Sequence, residues 1–263
     1  MEIIESSIIG KKNQDACEDG LVVTDDFVAV IDGSTSKTPL QLSPDMKNGR
    51  YAMNLISQYI VHELASDASM EAFCKGVSDY IYNKVYEKEN IVERMRLHPE
   101  ERLTAVAAIY SLARQEVWMV GDCQVMIDGR LYDNSKAYES EIAQKRVDLI
   151  KQGTTPKEAR KAIEPLLIAA ILEGQNKTYA VIDGFPIYLL GVKVISLSSM
   201  PAREMVLASD GYPFLKSTLA ESEEALRQQL DADPQNIHSF LATKGLVDGN
   251  NSFDDRTYVR ISL

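Results

Sequence analysis

Four aspartates stand at the ends of apolar runs, where a strand tip can offer an oxygen ligand to a cleft. Phe27–Ile31 leads into Asp32-Gly33, and Met205–Ser209 leads into Asp210-Gly211. Val117–Val120 leads into Gly121-Asp122, and Asp254-Asp255 stands just before Thr257–Ile261. Short apolar runs of this kind read as buried strands. Carboxylates gathered from several tips, with no basic partner nearby in sequence, repel one another. They favour a hard cation that takes oxygen ligands, such as magnesium, manganese or calcium.

Asp-Gly is also a common turn dipeptide, because glycine takes positive φ and aspartate tolerates it. Further copies stand at Asp19-Gly20, Asp128-Gly129, Asp183-Gly184 and Asp248-Gly249. Asp128-Gly129 lies between Cys123–Ile127 and Arg130–Tyr132 and suits a two-residue hairpin turn. Asp183-Gly184 follows the strand candidate Tyr179–Ile182 and is a decoy for a ligand. Any single copy reads as a turn. The ordered set Asp32, Asp122, Asp210 and Asp254 reads as chemistry.

The elements that must position this set follow from periodicity. Residues 2–9 and 20–32 read as strands, with the polar turn Gly10–Asp15 between them. Asp45–Asp67 carries Tyr51, Leu55, Ile56, Tyr59, Ile60 and Leu64 at helical spacing. Met70–Arg96 reads as a second, longer helix. A strand block follows: Leu103–Leu112, Glu116–Val120, Cys123–Ile127 and Arg130–Tyr132. Thr155-Pro156-Lys157-Glu158 is a capping box with proline at the first helical position, so a helix is expected from there to about Leu172. Tyr179–Ile182, Ile187–Leu189, Val192–Leu197 and Glu204–Ser209 return to strand. Ala220–Leu230 and Pro234–Lys244 read as helices, and Arg256–Ser262 as a last strand. Strand blocks alternating with helical pairs predict antiparallel sheets covered by helices. Trp118 is expected in the core. The charged run Glu139–Lys151 reads as a solvated helical face.

Composition narrows the function. The 263 residues are 45% hydrophobic and 25% charged, an ordinary globular balance. Lys+Arg of 28 against Asp+Glu of 39 gives a net charge of −11, which argues against nonspecific nucleic-acid binding. No run has the length of a transmembrane helix, and Met1–Glu5 lacks the basic start of a signal peptide, so no membrane partner is expected. Cys17, Cys74 and Cys123 have no metal-ligand spacing and read as reduced thiols of a cytoplasmic protein. His62, His98 and His238 are scattered, so there is no zinc motif.

In their order the motifs resemble those of the metal-dependent protein phosphatases, the type 2C serine/threonine phosphatases. The matching segments are Asn13-Gln14-Asp15-Ala16, Val28–Gly33, Thr104-Ala105-Val106, Val120-Gly121-Asp122, Leu207–Gly211 and Asp254–Thr257. They span about residues 13 to 260. The resemblance implies an α+β fold, a four-layer αββα sandwich with two central, mostly antiparallel sheets flanked by helical pairs. It implies one domain over 1–263 with a helical insertion or flap at about 135–178. It also implies hydrolysis of a phosphomonoester by water activated between two manganese or magnesium ions, with a third ion in some members. Asp32 would bridge the ions and the Gly33 carbonyl would bind one. Asp210 and Asp254 would complete the other shell, and Asp122 would join Asp210 at a third ion. Gln14 and Asp15 would support the site from outside the ligand shell. The expected partner is a phosphorylated protein or a small phosphomonoester.

Three departures bear on substrate. Gly10 stands where many members carry a phosphate-gripping arginine, and Lys11 and Lys12 follow it. Gln14 replaces a glutamate. Ser34-Thr35-Ser36-Lys37 replaces a glycine-rich turn. Lys11, Lys12 and Lys37 are therefore candidate phosphate contacts, as point charges without a guanidinium's bidentate geometry. Two functions follow: a phosphatase, or a phosphatase-like regulatory module that has lost turnover.

Overall fold

The central strands are apolar on both faces, so each sheet needs cover on both sides. The computed structural model describes the backbone of residues 1–263 and every side chain except that of Ala137. In chain order the elements are β1 (Glu2–Ile9), β2 (Asp19–Val23), β3 (Phe27–Gly33), α1 (Asn48–His62), α2 (Met70–Ile81), α3 (Val92–Leu97), β4 (Ala105–Ser111) and β5 (Glu116–Val120). Next come β6 (Gln124–Ile127), β7 (Arg130–Tyr132), α4 (Ala137–Lys151), α5 (Pro156–Gly174), β8 (Val192–Ser196), β9 (Glu204–Ala208), α6 (Leu219–Ala232) and β10 (Arg256–Ser262). One sheet runs β1-β10-β9-β6-β7 and the other β2-β3-β4-β5-β8, and all neighbours are antiparallel.

Residue parity assigns the layers. Phe27, Ala29 and Ile31 face a core shared with Leu55 and Ile56 of α1 and Phe73 and Val77 of α2. Their neighbours Val28 and Val30 face the other way, onto Val125, Leu207 and Val259 of the opposite sheet. The outer face of that sheet, with Val206 and Tyr258, is covered by Leu226 of α6 and by Phe253. The result is the four-layer α+β sandwich. Trp118 is fully buried among Phe27 and Phe73, at ring distances of 6.2 and 5.9 Å. Among the described residues no helix is long and apolar enough to cross a membrane.

Local chemistry explains where the elements depart from periodicity. The stretch 20–32 is two strands, because the Thr24 hydroxyl accepts the amides of Asp26 and Phe27 and turns the chain. The long helix expected over Met70–Arg96 passes through a π-helical turn, Tyr82–Glu87, and breaks at Asn90, which has φ 55°. Pro234–Lys244 is a loop. The Asp233 carboxylate accepts the amides of Ile237 and His238, and Asn236 has φ 53°, so the helix cannot propagate. The outer layer on that side is therefore α6 backed by a loop. Tyr179–Ile182 makes only isolated bridges, and Ile187–Leu189 leads into a 3₁₀ turn. Asp128-Gly129 is the hairpin turn, with φ of 44° and 81° between Ile127 and Arg130.

Between β7 and β8 the chain inserts α4 and α5. They pair through Ile142, Ile163 and Leu167, and the Thr155–Glu158 capping box starts α5. Behind this hairpin lies Asp183, fully buried and structural. It accepts from Arg102 at 2.9 Å, from Gln175 at the end of α5 at 2.8 Å, and from the Phe185 amide at 3.0 Å. The Arg102 guanidinium also lies 3.8 Å over the Phe185 ring. Asp183→Ala leaves this guanidinium buried without its counter-ion, and thermal or urea unfolding is expected to show a loss of about 3–5 kcal/mol.

Candidate active site

Antiparallel pairing delivers the acidic residues to one end of the sandwich. Asp19, the first residue of β2, lies directly across from Asp32 near the end of β3. β9 ends where β10 begins, with Tyr258 opposite Ala208 and the Ser209 amide donating to the Thr257 carbonyl. Asp210 and Asp254 flank that junction. Gly121, at φ 86°, turns the chain from β5 in one sheet to β6 in the other and places Asp122 at the same end. A Cβ at Gly121 would also strike Val106, so glycine is required twice over.

The cluster is larger than the four motif aspartates. Glu18 and Asp19 are buried and belong to it, while Gln14, Asp15 and Lys12 are exposed on the preceding turn. The Gln14 amide oxygen accepts the Gly10 amide at 3.3 Å. The acid across from Asp32 is Asp19, and the preceding Glu18 takes the Gly33 amide on its carbonyl; this pair lies four residues beyond the one the motif alignment selects. The apolar run Leu21–Val23 just after Asp19-Gly20 was the available signal. Gly33 packs backbone to backbone against Gly49 in the first turn of α1, and a side chain on Gly33 would strike the Gly49 carbonyl. The Glu18 carboxylate lies beside that same helix start, where the backbone dipole favours negative charge.

Asp255 ties the two ends of the chain together. Its carboxylate accepts the Lys11 amide at 2.7 Å and the Glu18 amide at 3.2 Å. Lys11, expected to meet phosphate, instead places its ammonium 3.0 Å from Asp254, 3.3 Å from Asp255 and 3.8 Å from Glu18. Two more lysines enter from distant segments. Lys136, just before α4, lies 2.8 Å from Asp122, and Lys244 pairs with Asp254. Neither was selected by sequence: Lys136 is 14 positions from Asp122, and Lys244 is ten from Asp254 in a stretch read as helix.

The electrostatics are those of crowded carboxylates. Burial, with the charges of Asp19 and Asp210, holds the Asp32 carboxyl well above the usual carboxylate range, although Lys244 opposes the shift. Burial likewise pushes Asp19 up to about 7, against hydrogen bonding from Ser209. Burial acts to raise Asp210 too. Lys244, Lys136, a hydrogen bond from Asp32 and Lys11 outweigh it, so Asp210 lies below its ordinary value. Lys37, on the loop after Gly33, is pushed down to about 7 by burial and by the positive charges of Arg160, Lys244 and Lys136. Its ammonium donates to the Thr35 carbonyl, and the Thr35 hydroxyl donates to Glu18. A carboxylate floor thus lies beneath a rim of cations.

The donor set suits a hard divalent cation. Glu18 Oε1, Asp19 Oδ2 and Asp210 Oδ1 are buried acceptors with no hydrogen-bond partner, the state a metal ligand has before its ion binds. Yet among the described residues no three carboxylate, histidine or cysteine side chains converge as an ion would require. The lysine ammoniums hold Asp122 and Asp254 to themselves.

No family model matches the chain, and no curated protein sequence matches it. Solved structures do. An arginine-to-lysine variant of a bacterial serine phosphatase overlays with a TM-score of 0.52 at 13% identity, covering 100% of this chain and 97% of the other. The unmutated bacterial serine phosphatase gives 0.51 at 12% identity, with the same coverage. The PPM Ser-Thr phosphatase MsPP from Mycobacterium smegmatis, in complex with cacodylate, gives 0.48 at 15% identity over 100% of both chains. The fold is that of the bacterial serine phosphatases. At these identities the likeness is one of architecture.

Asp255→Ala removes the acceptor shared by two backbone amides of the acidic end. Denaturant unfolding is expected to show a loss of about 1.5–3 kcal/mol, with a smaller loss for Asp255→Asn, which keeps an acceptor.

Proposed function

We propose that this chain is a metal-dependent phosphomonoester hydrolase, acting on phosphoserine or phosphothreonine in proteins. The observation that supports it most is the set of unpartnered, buried carboxylate oxygens at one end of this sandwich. Asp32, the Gly33 carbonyl, Asp122, Asp210 and Asp254 are the residues that would hold manganese or magnesium, with Glu18 and Asp19 beside them. The bound ions would supply Lewis acidity toward water and toward the phosphoryl oxygens. In the net reaction, the water oxygen forms a bond to phosphorus, the ester P–O bond breaks, and the departing alkoxide takes a proton.

The chain's own groups have separable tasks. Asp32, whose carboxyl is held up by burial and by the charges of Asp19 and Asp210, can hold or release a proton at the cleft floor. Lys37, crowded by other cations, is relieved by a phosphate dianion and would grip it at the rim. Arg160 of α5 stands near enough to repel Lys37 and would add a second cation there. With Glu18-Asp19 taken as the family's acidic pair, the position four residues earlier is Gln14, so the phosphate-binding arginine is absent in this alignment as well.

A second reading rests on a specific observation. Lys11, Lys136 and Lys244 already neutralise the ligands, as a phosphatase-like module without turnover would need. Hydrolysis of an aryl phosphate and of a phosphothreonine peptide separates the two readings. Manganese-dependent turnover that chelator removes, and that Asp210→Asn lowers by at least about 100-fold, is the expected result. Folded wild-type protein that binds manganese and turns over neither substrate would establish the regulatory module.

A further inference from the structure

Lys244 reaches the acidic end from a loop that is fixed at both sides. Within 233–246, the Asn236 side chain donates to the Lys244 carbonyl at 3.1 Å, and Gln235 donates to the Leu246 carbonyl at 2.9 Å. The insertion helices hold the same loop. Arg146 of α4, fully buried, donates to the carbonyls of Gln235 at 2.8 Å and Ala242 at 3.2 Å. Arg160 of α5 donates to the Thr243 carbonyl at 2.8 Å. The residue whose ammonium meets Asp254 is therefore adjacent to one carbonyl clamped by α5 and two positions from one clamped by α4.

The three lysines are not equivalent. Lys11 touches three carboxylates, and its own amide is bound by Asp255, so it is built in. Lys136 is largely buried against Asp122 and also approaches Glu139 at 3.5 Å. Lys244 has Asp254 as its one carboxylate partner among the described residues, and its side chain is 36% exposed. It can withdraw into water at the lowest cost. An ammonium and a divalent ion on the same carboxylate repel each other, so each weakens the other's binding.

We propose that Lys244 is a resident counter-cation which a divalent ion must displace from Asp254, and that loop 233–246 carries this displacement to α4 and α5. The inference rests on the metal reading of the cleft. It makes metal occupancy and the posture of the insertion helices one linked equilibrium, with Arg146 and Arg160 as the mechanical link.

Calorimetric titration of the full chain with manganese chloride tests it without reference to activity. Lys244→Gln removes the competing charge and is expected to bind manganese about fivefold or more tightly than wild type, while Lys244→Arg stays near wild type. Hydrogen exchange supplies the second readout. Manganese is expected to speed amide exchange within 137–174 in the wild type, and the metal-free Lys244→Gln protein is expected already to exchange at that faster rate. Equal or weaker manganese binding by a Lys244→Gln protein that unfolds at the wild-type temperature would overturn the competition. Exchange in 137–174 that is indifferent to manganese would overturn the coupling. Failure of both wild type and Lys244→Gln to bind manganese would overturn the metal reading itself, and this inference with it.

Discussion

A sheet cannot splay its strands to relieve repulsion between side chains it has placed face to face. Asp19 and Asp32 are cross-strand partners in register, and the hydrogen bonds on either side fix their separation. Asp210 and Asp254 arrive from the other sheet at the same end. Two like charges about 4 Å apart repel by ~4 kcal/mol at the effective dielectric of a partly buried site. Protons or cations must absorb that energy. The raised Asp32 and Asp19 carboxyls are the proton solution, and the three lysines are the cation solution. Every feature of the cleft follows from how these two are mixed.

The sandwich makes this crowding unavoidable because its ends, unlike its faces, are where chain direction reverses. β1 and β10 pair antiparallel with Ile9 opposite Arg256, so the residues after one meet the residues before the other. Lys11 therefore meets Asp254 and Asp255 across almost the full length of the chain. The Gly121 turn does the same between sheets, and the start of α1 closes the floor against Gly33. Burial on both faces of β3 and β4 keeps the strands rigid. The acidic end is a rigid frame with soft attachments: the loop after Gly33, the insertion helices and loop 233–246.

What could be read from sequence follows the same division. The strand tips Asp32, Asp122, Asp210 and Asp254 were legible because an apolar run bounded by an acid has a strong local signature. The hairpin at Asp128-Gly129 and the capping box at Thr155 were legible for the same reason. Glu18-Asp19 escaped because the exposed Asn13-Gln14-Asp15 triplet offers a similar string four residues earlier, and only the register of β2 against β3 separates them. Lys136 and Lys244 escaped because their role is wholly tertiary. Pro234–Lys244 has apolar residues at helical spacing, but Asp233 and Asn236 divert its backbone, and the resulting loop is what aims Lys244. Asp183 has the same dipeptide as the site aspartates. Its partners Arg102 and Gln175 make it a structural anchor, which no local pattern records.

The mixture of protons and lysines carries a consequence for the relation between folding and metal. In a site held together by metal alone, ion binding is folding free energy, and the apo chain is disordered there. Here Lys11 and Asp255 knit the acidic end with charge-assisted hydrogen bonds that need no ion. The frame thus has bonds of its own, and the remaining charge is balanced by side chains that differ in how firmly they are held. A cation held by three carboxylates and its own backbone is part of the frame. Lys244, on a clamped loop and with its side chain 36% exposed, is the cation held least firmly. The charge that stabilises the fold, on Lys11 and Asp255, is thus distinct from the less firmly held charge on Lys244.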